Sequence, residues 1–296
     1  MRTQTEEITS AVALEAEWHP LSVCSPAIAY QKVYATDRGV LFNGDCLDIL
    51  PHIEDDSIDT VFADPPFNLA KEYGAHVNDD IPEREYVAWC KAWLVHCERV
   101  LKPGGALFVY NLPKWNVLIG SFLANEGMVF RHWIAVSIKL SLPIPGRLYP
   151  AHYSLLYYTK GKPRTFRKIR TPILTCRHCG GEIRDYGGHR NAMNPNGVNL
   201  TDIWDDIPPV RHRKFKSEKR TANQLSTKLL DRVVRMSTCE DDVVLDPFGG
   251  SGTTFDVCER RRRFWIGIEK SSCDAIVDRL SSAPLCPHDS EDFFEE

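Results

Sequence analysis

The stretch Ile58-Asp59-Thr60-Val61-Phe62-Ala63-Asp64-Pro65-Pro66-Phe67 decides the fold. It begins as a short apolar run rich in β-forming residues, which predicts a buried strand. The acid, the prolines and the aromatic ring then follow where that strand ends, and in an open α/β sheet ligands bind at this edge. Because proline has no backbone donor and a fixed φ, Asp64-Pro65-Pro66 predicts a stiff turn offering carbonyl oxygens and one carboxylate. With the Phe67 ring alongside, it suits a planar group that carries an amine. In the alternative interpretation, Asp64 only caps a helix and Phe67 only fills the core.

A second stretch, Val243 to Thr254, has the pattern of a strand, a tight Gly-rich turn and a helix start. Glycines there let a ligand approach the backbone, and a helix N-terminus favours a negative charge such as a carboxylate. The next predicted strand ends at Glu269, 23 residues after Asp246. An acid at about this spacing is typical of the ribose-hydroxyl acceptor in nucleoside-binding α/β folds. The pattern matches neither a P-loop nor G-x-G-x-x-G, and it predicts a pocket for a nucleoside bearing an anionic group. A purely structural turn is the alternative.

Strands and helices alternate along most of the chain. Predicted strands lie at 40–42, 59–62, 106–110, 132–138, 153–159, 243–245 and 264–268, and predicted helices at 82–101, 112–125, 225–237, 252–262 and 271–280. The helix at 82–101 is expected to end at Pro103-Gly104-Gly105. This alternation predicts βαβ units and a parallel sheet.

The distribution of charge points to a polyanionic partner, although the net charge is only −4. The interval 160–220 holds fifteen Lys and Arg residues against six acidic ones. A basic block on an acidic body is the pattern expected of a nucleic-acid-binding face, with a merely solvated basic loop as the alternative. Ten cysteines, mostly in apolar contexts, and an N-terminus without an apolar run predict a reduced cytoplasmic protein without a signal peptide or membrane span.

Together these residues resemble the amino-methylating DNA methyltransferases, which use S-adenosylmethionine. Asp64-Pro65-Pro66-Phe67 matches the D/N/S-P-P-Y/F catalytic motif of that family, and Phe248-Gly249-Gly250-Ser251-Gly252 matches its F-x-G-x-G cofactor motif. The catalytic motif comes first, which resembles the permuted β class. The resemblance implies a Rossmann-like, doubly wound, mostly parallel α/β sheet in circularly permuted methyltransferase order, with an inserted target-recognition region.

The resemblance also implies roles for individual residues. Asp64 and the Pro65 carbonyl accept hydrogen bonds from the target amine, Pro66 completes the turn, and Phe67 stacks on a base flipped out of duplex DNA. The residues implied to hold the cofactor are Asp45, Asn223, Asp246, Phe248, Gly249, Gly250, Ser251, Gly252, Thr253 and Glu269. The family's common proline after Asn223 is replaced by Ser226. The basic run Arg211, Arg213, Lys214 and Lys216 is expected to meet DNA phosphates.

The chain is expected to divide into five parts. These are an N-terminal extension at 1–30, a catalytic half at 31–159, a target-recognition insertion at 160–220, a cofactor-binding half at 221–282 and an acidic tail at 283–296. The extension is expected to be poorly ordered or peripheral, and the insertion is expected to serve recognition rather than the fold.

Several choices remain open at this stage. Adenine N6 is preferred over cytosine N4 as the target because the N4 enzymes more often have Ser in place of Asp64. Methylation of RNA or of a protein glutamine is a second alternative, and a DNA-binding module with an inactive site is a third. Cys176 and Cys179 are spaced as half of a zinc site, or are simply two thiols in a Gly-rich turn. A homodimer and a cognate restriction endonuclease are possible partners.

Overall fold

The computed structural model describes residues 18–69, 80–138, 145–146, 148–173, 175–176, 178–179, 181, 194, 196–208 and 224–282. The strands are β1 Lys32–Ala35, β2 Gly39–Asn43, β3 Ile58–Ala63, β4 Leu101–Asn111, β5 Val129–Ser137, β6 His152–Thr159, β7 Arg170–Thr171, β8 Val198–Asn199, β9 Ile203–Trp204, β10 Val243–Asp246 and β11 Phe264–Glu269. The helices are α1 Cys46–Ile49, α2 Glu83–Val100, α3 Pro113–Asn125, α4 Thr227–Ser237, α5 Thr253–Arg260 and α6 Asp274–Ser282.

Among these residues, nine strands form one sheet in the order β1-β2-β11-β10-β3-β4-β6-β5-β9. The five strands from β2 to β4 in this order are mutually parallel. β3 is buried along its whole length because both faces of the sheet are covered, as expected for a central parallel strand. The predicted Rossmann-like α/β fold with a mostly parallel sheet is therefore confirmed.

The helices cover both faces of the sheet, so the sheet is doubly wound. On one face α1, α2 and α3 bury residues such as Trp93 and Ile119 against it. On the other face α4, α5 and α6 bury residues such as Val233, Phe255 and Ile276. The two motifs lie on strands that these helices support from both sides.

The sheet is mostly but not entirely parallel. β5 and β6 form an antiparallel hairpin, and β6 lies between β4 and β5, antiparallel to both. A hairpin connection reverses the chain direction, whereas parallel neighbours need a crossover. The link between β5 and β6 therefore leaves and re-enters the sheet at the same edge.

β4 also begins earlier than predicted. The sequence places Pro103-Gly104-Gly105 between a helix and a strand, but the strand already starts at Leu101. Leu101 pairs with Ile58 and Ala106 pairs with Thr60, so β4 has extra residues opposite β3. Gly104 takes a φ of +83°, which a residue with a side chain rarely adopts, and this lets the bulge form.

The packed fold starts before residue 31, unlike the predicted extension. Two 3-10 turns occupy Pro20–Val23 and Pro26–Gln31. Ile28 belongs to the core, and the backbone of Cys24 pairs with that of Ile53 in an isolated antiparallel β-bridge. Short turns that begin at proline have no sustained helical period, so the sequence pattern does not reveal them.

The described part of the interval 160–220 contributes to the fold as well. β9 adds a parallel strand next to β5, and Trp204 is only 1% exposed. The buried Arg232 of α4 donates to both carboxylate oxygens of Asp206, at 2.8 and 2.5 Å. This ion pair joins the interval 160–220 to α4. No helix in the described ranges is both long and apolar enough to span a bilayer.

Candidate active site

The carboxyl ends of the parallel strands meet at one edge of the sheet, here named the carboxyl edge. β3 ends directly before Asp64, and β10 ends at Asp246. The two strands are hydrogen-bonded neighbours, with Val244 beside Thr60. The Asp64 turn (Asp64-Pro65-Pro66-Phe67) and the Gly-rich turn (residues 246–253) therefore lie side by side, although they are about 180 residues apart in the chain.

Two helices hold the Asp64 turn through its backbone. The Tyr86 hydroxyl of α2 donates to the Pro66 carbonyl oxygen at 2.6 Å. The Trp115 indole N–H of α3 donates to the Phe67 carbonyl oxygen at 2.7 Å. Asn111, at the end of β4, donates to the Tyr86 hydroxyl at 2.9 Å. Prolines cannot contribute N–H groups to such a network, so the turn is positioned through its carbonyl oxygens.

Three aromatic rings pack together beside Asp64. The Phe67 ring centre lies 6.1 Å from that of Tyr110 and 5.6 Å from that of Tyr153, and the two tyrosine rings are 5.2 Å apart. Phe67 is only 7% exposed. The ring predicted to stack on a flipped base is thus largely covered by its neighbours, while Tyr153 is only half-buried. Stacking of a base on Phe67 stays a prediction. The Tyr153 ring packs beside Phe67 and is the more exposed of the two.

The Asp64 carboxylate is electrostatically linked to both tyrosines. Burial raises the pKa of Tyr110 well above its usual value, and the charge of Asp64 raises it further. Burial and the same charge also raise the pKa of Tyr153. Both hydroxyls therefore keep their protons at neutral pH and can act as hydrogen-bond donors.

Sequence reasoning missed the residues that support this turn. They are Tyr86, Tyr110, Asn111, Trp115 and Tyr153. Tyr110 and Asn111 close a predicted strand next to the Asp64 strand, so the rule that parallel strands present their carboxyl ends at one edge could have identified them. Tyr153 could not be found this way because it lies at the start of an antiparallel strand.

The Gly-rich turn is organised around Asp246. Asp246 is 2% exposed, accepts from the Phe248 N–H at 2.9 Å and accepts from the Thr254 hydroxyl at 2.5 Å. Burial raises the pKa of Asp246 to about 7, although the bonds from Thr254 and Phe248 lower it, and the charge of Glu269 raises it again. The buried Asp246 carboxylate therefore holds the two ends of the turn together through these hydrogen bonds.

The glycines of this turn are required by its geometry. Gly250 and Gly252 have φ values of +53° and +75°, in the left-handed region that favours glycine. A Cβ atom on Gly249 would lie 3.0 Å from Cδ1 of Ile276. The turn is therefore bare of side chains at these positions, and a ligand can approach its backbone.

Other predicted cofactor residues surround the turn. The Phe248 ring packs against Trp89 and Trp93 of α2, at 5.7 and 5.1 Å between ring centres. The Ser251 and Thr253 hydroxyl oxygens are 3.3 Å apart. Thr253 also donates to the carbonyl oxygen of Leu225, at 3.4 Å, just before α4. Asn223 lies outside the described residues.

Glu269 ends β11 and bridges two backbone segments. One of its carboxylate oxygens accepts from the Gly250 N–H and the other from the Ser271 N–H, both at 2.7 Å. Each oxygen has a second lone pair, so the carboxylate can accept further hydrogen bonds from a ligand hydroxyl. Glu269 is therefore tied directly to the glycine turn, and its binding of ribose hydroxyls stays a prediction.

Asp45 lies next to Glu269, because β2 and β11 are parallel neighbours and the pairing runs to Asn43 beside Glu269. Asp45 caps α1 by accepting from the Leu47 N–H at 3.0 Å and accepts from the Lys270 ammonium at 2.8 Å. Burial raises its pKa, but the bonds from Lys270 and Leu47 and the charge of Lys270 lower it more, so the net shift is downward.

These groups fit S-adenosylmethionine. The turn has glycines where a Cβ would strain or crowd the backbone, and the neighbouring strand ends supply carboxylates for hydroxyl and ammonium donors. The carboxylates of Asp45 and Glu269 lie at one side of the turn and the Asp64 turn lies at the other. A nucleoside with an amino-acid arm suits such an extended row of acceptors.

A cavity of about 450 Å³ lies at the opposite, amino edge of the sheet, and it is lined by Trp18, Ser57, Lys102, Val243 and Phe264 among others. Three acidic residues there, Asp55, Asp56 and Asp241, form ion pairs with Arg99, Lys160 and Arg38. It contains none of the predicted site residues, which lie at the carboxyl edge where they are described.

The predicted DNA contacts Arg211, Arg213, Lys214 and Lys216 lie outside the described residues. Cys176 and Cys179 are described as free thiols, in a turn closed by the Cys176 N–H donating to the Gly181 carbonyl at 2.7 Å. Among the described residues, no group of three or more His, Cys, Asp or Glu side chains is placed to hold a metal ion. The zinc interpretation gains no support there.

Residues 58–277 match the N6/N4 methyltransferase family, described as DNA methylase. The chain is 56% identical to the Type II methyltransferase M.BamHI of Bacillus amyloliquefaciens over 84% of its own length, and it spans 58% of that relative.

Two solved structures share the fold. The PvuII DNA methyltransferase (cytosine-N4-specific) superposes with a TM-score of 0.62 at 21% identity, covering 86% of this chain and 91% of that one. A putative DNA modification methylase from Thermus thermophilus, complexed with S-adenosyl-L-methionine, superposes with a TM-score of 0.53 at 21% identity, covering 82% and 95%.

Proposed function

Because the chain belongs to the N6/N4 DNA methylase family, we propose that it transfers a methyl group from S-adenosylmethionine to an exocyclic amine of a base in duplex DNA. The observation that carries the proposal is the adjacency of the Asp64 turn and the Gly-rich turn on neighbouring parallel strands. An acceptor for an amine and a pocket for a nucleoside then share one edge.

The chain's own part in the reaction is to bind and orient the amine. The lone pair of an exocyclic amine is delocalised into the base ring, which makes the nitrogen a poor nucleophile. When its two N–H groups donate hydrogen bonds to the Asp64 carboxylate and the Pro65 carbonyl oxygen, the nitrogen becomes more tetrahedral and its lone pair is directed away from the ring. Positioning of the amine and preorganised acceptors then account for the acceleration of methyl transfer. A covalent enzyme intermediate is not needed.

The Gly-rich turn, with Glu269 and Asp45, holds the cofactor in this proposal. When bound, S-adenosylmethionine supplies an electrophilic methyl group on a sulfonium. Glu269 accepts from the ribose hydroxyls, Asp45 lies on the adenine side, and the backbone of the glycines follows the methionine arm. Support comes from the bonds of Glu269 to Gly250 and Ser271, which fix its carboxylate beside the turn.

Adenine N6 stays the predicted target because of Asp64, and cytosine N4 is the second candidate. Asp64 and Pro65 contact only the amine, which both bases carry, so the same turn serves either. The PvuII methyltransferase, which has this fold, is by its name cytosine-N4-specific. The product therefore has to be measured.

The remaining expectations extend the proposal. The catalytic half at 31–159 and the cofactor-binding half at 221–282 flank the recognition insertion at 160–220, whose basic residues contact phosphates. The protein works in the cytoplasm, with a homodimer and a restriction endonuclease of the same site as candidate partners. The relative M.BamHI is by name a Type II methyltransferase, which favours a restriction–modification pair.

Methyl transfer from labelled S-adenosylmethionine to mixed-sequence duplex DNA, followed by nucleoside digestion and mass spectrometry, tests the proposal. N6-methyladenine or N4-methylcytosine supports it and identifies the base. Cofactor binding without transfer to DNA would reject it, and the same assay on RNA and on a glutamine-containing peptide would then follow. The Asp64→Ala variant is the control for contaminating activity.

A further inference from the structure

The end of β5 and the start of β6 lie at the carboxyl edge, the edge that also holds the Asp64 turn. Both ends of the loop between them are paired there, since Ser137 lies opposite His152 and the Ile138 N–H donates to the Ala151 carbonyl at 2.7 Å. Tyr153, the second residue of β6, packs against Phe67. The described residues Leu148 and Tyr149 precede this point.

Leu148 is exposed to an unusual degree, and Tyr149 beside it is exposed as well. Leu148 is 94% exposed and Tyr149 is 57% exposed, whereas the other exposed large apolar side chains of the described residues lie between 38% and 62%. An isolated exposed leucine is ordinary on a protein surface, but Leu148 and Tyr149 are consecutive, both exposed, and only five and four residues before Tyr153, which packs on Phe67; these two residues are named the apolar tip. Such a tip is stabilised when another apolar surface covers it.

The tip is within reach of the base that would be methylated. Leu148 precedes Tyr153 by five residues, which span at most about 17 Å in extended conformation. A target base held at the Asp64 turn has left the duplex, and the gap in the base stack remains on the DNA side of the same edge. Flipping costs unstacking free energy, and proteins that distort DNA often offset it with an apolar wedge between bases.

We infer that Leu148 and Tyr149 enter the base stack of the DNA at the target site and fill the space that the flipped base leaves. This inference rests on the proposed function and adds a positioning element to it. The occupant of the tip is the duplex itself, and the apolar faces of the flanking bases cover Leu148 and the Tyr149 ring. The tip thereby keeps the target base outside the helix and close to Asp64.

The test compares the full chain with its Leu148→Ala, Tyr149→Ala and double variants on duplexes that carry the site mapped by methylation. Each duplex is made with the target base paired, mismatched, or opposite an abasic position. A wedge is needed most when the base must be pulled from a pair. We therefore expect kcat/KM to fall roughly tenfold to hundredfold on the paired duplex, and to return close to the wild-type value on the mismatched and abasic duplexes.

Val33→Ala is the matched control, because Val33 is an exposed apolar residue (49%) on β1, at the far end of the sheet. This variant should have the wild-type kcat/KM on all three duplexes. Wild-type kcat/KM for the tip variants on the paired duplex would overturn the inference. An equal loss on all three duplexes, with a shift in oligomeric mass, would also overturn it in favour of a contact with a second copy. Failure of the proposed function would differ, because the wild-type chain itself would then transfer no methyl group to any duplex.

Discussion

The Tyr86 hydroxyl donates a hydrogen bond of 2.6 Å to the carbonyl oxygen of Pro66. Tyr86 is 2% exposed and lies on α2, while Pro66 lies in the turn after β3. Asn111 donates in turn to the Tyr86 hydroxyl, which leaves the tyrosine proton directed to Pro66. Two buried polar residues, Tyr86 and Asn111, thus hold the backbone of the Asp64 turn through a chain of two hydrogen bonds.

Removal of the Tyr86 hydroxyl should slow methyl transfer. In Tyr86→Phe the turn loses one anchor, so the Asp64 carboxylate is placed less accurately, and kcat should fall roughly threefold to tenfold for a bond worth about 1 kcal/mol. The KM for S-adenosylmethionine should stay the same, because the Gly-rich turn is not touched. Tyr158→Phe is the control, since Tyr158 is a buried tyrosine that donates to the Gly120 carbonyl on α3. Equal kcat in the two variants would remove Tyr86 from the site.

The Asp64 carboxylate should be needed for transfer and not for cofactor binding. In Asp64→Ala the amine loses its charged acceptor, and we expect kcat to fall roughly hundredfold or more. Calorimetric titration should show S-adenosylmethionine binding as in the wild type. An active variant would contradict the role assigned to Asp64. The loss of binding as well would place this residue in the cofactor pocket.

Glu269 should determine cofactor affinity. In Glu269→Gln one amide end is a donor and meets either the Gly250 or the Ser271 N–H, both of which need an acceptor. We expect the Kd for S-adenosylmethionine to rise roughly tenfold or more, as for a lost hydrogen bond to a charged group. At saturating cofactor, kcat should recover most of its value. Glu240→Gln, whose side chain is 62% exposed at the opposite edge, is the control and should bind as the wild type does.

The buried Asp246 should make stability fall as pH rises. Its pKa is about 7 in the folded protein and 3.8 in its ordinary state, so between these values the folded chain binds a proton that the unfolded chain has released. The unfolded state then binds fewer protons, and the free energy of unfolding decreases with increasing pH across this window. Asp246→Asn has no titratable carboxyl group at this position, so this contribution to the pH dependence of the free energy of unfolding is absent.

Thermal unfolding of the wild type and the variant, followed from pH 5 to pH 8, checks this. The Tm of Asp246→Asn relative to wild type should rise along the series, because only the wild type acquires the buried charge. Asp241→Asn, at an exposed position (61%), should show no such trend. A constant difference between Asp246→Asn and wild type would mean that Asp246 is ionised throughout.

The basic run predicted to contact DNA can be tested without disturbing the site. Neutralisation of Arg211, Arg213 and Lys214 by Gln should weaken DNA binding and lower the slope of log K against log salt by up to about 3. Cofactor binding should not change. Neutralisation of Arg260, Arg261 and Arg262, three basic residues at and just after the C-terminal end of α5, removes the same number of charges and is the control. An unchanged slope in the first variant would exclude the run from the interface.

The sequence predicted much of the fold because its signals are local. The apolar run before Asp64 and the glycine turn after Val243 each contain their own strand, turn and helix information, and both were found where predicted. The strand β6 was predicted at 153–159, but its antiparallel direction and the 3-10 turns around Ile28 were not, because their pairing and burial depend on partners far along the chain.

The same division holds for the candidate site. The residues with chemical groups, Asp64, Asp246 and Glu269, were identified from motif and spacing. Their supports, Tyr86 and Tyr153, are ordinary tyrosines in a helix and a strand, and nothing in their local sequence separates them from core residues. Only their contacts with the Asp64 turn show what they do.

The sequence by itself determined the fold class, the order of the two motifs and the acidic and glycine residues proposed for the site, because backbone geometry and ligand chemistry restrict residue type position by position. The tertiary structure alone decided that the two motifs share one edge, that Phe67 is nearly buried, and that Leu148 and Tyr149 are exposed. These properties depend on which strands pair and which side chains meet after folding, and such contacts between distant residues are not encoded in any single stretch of the chain.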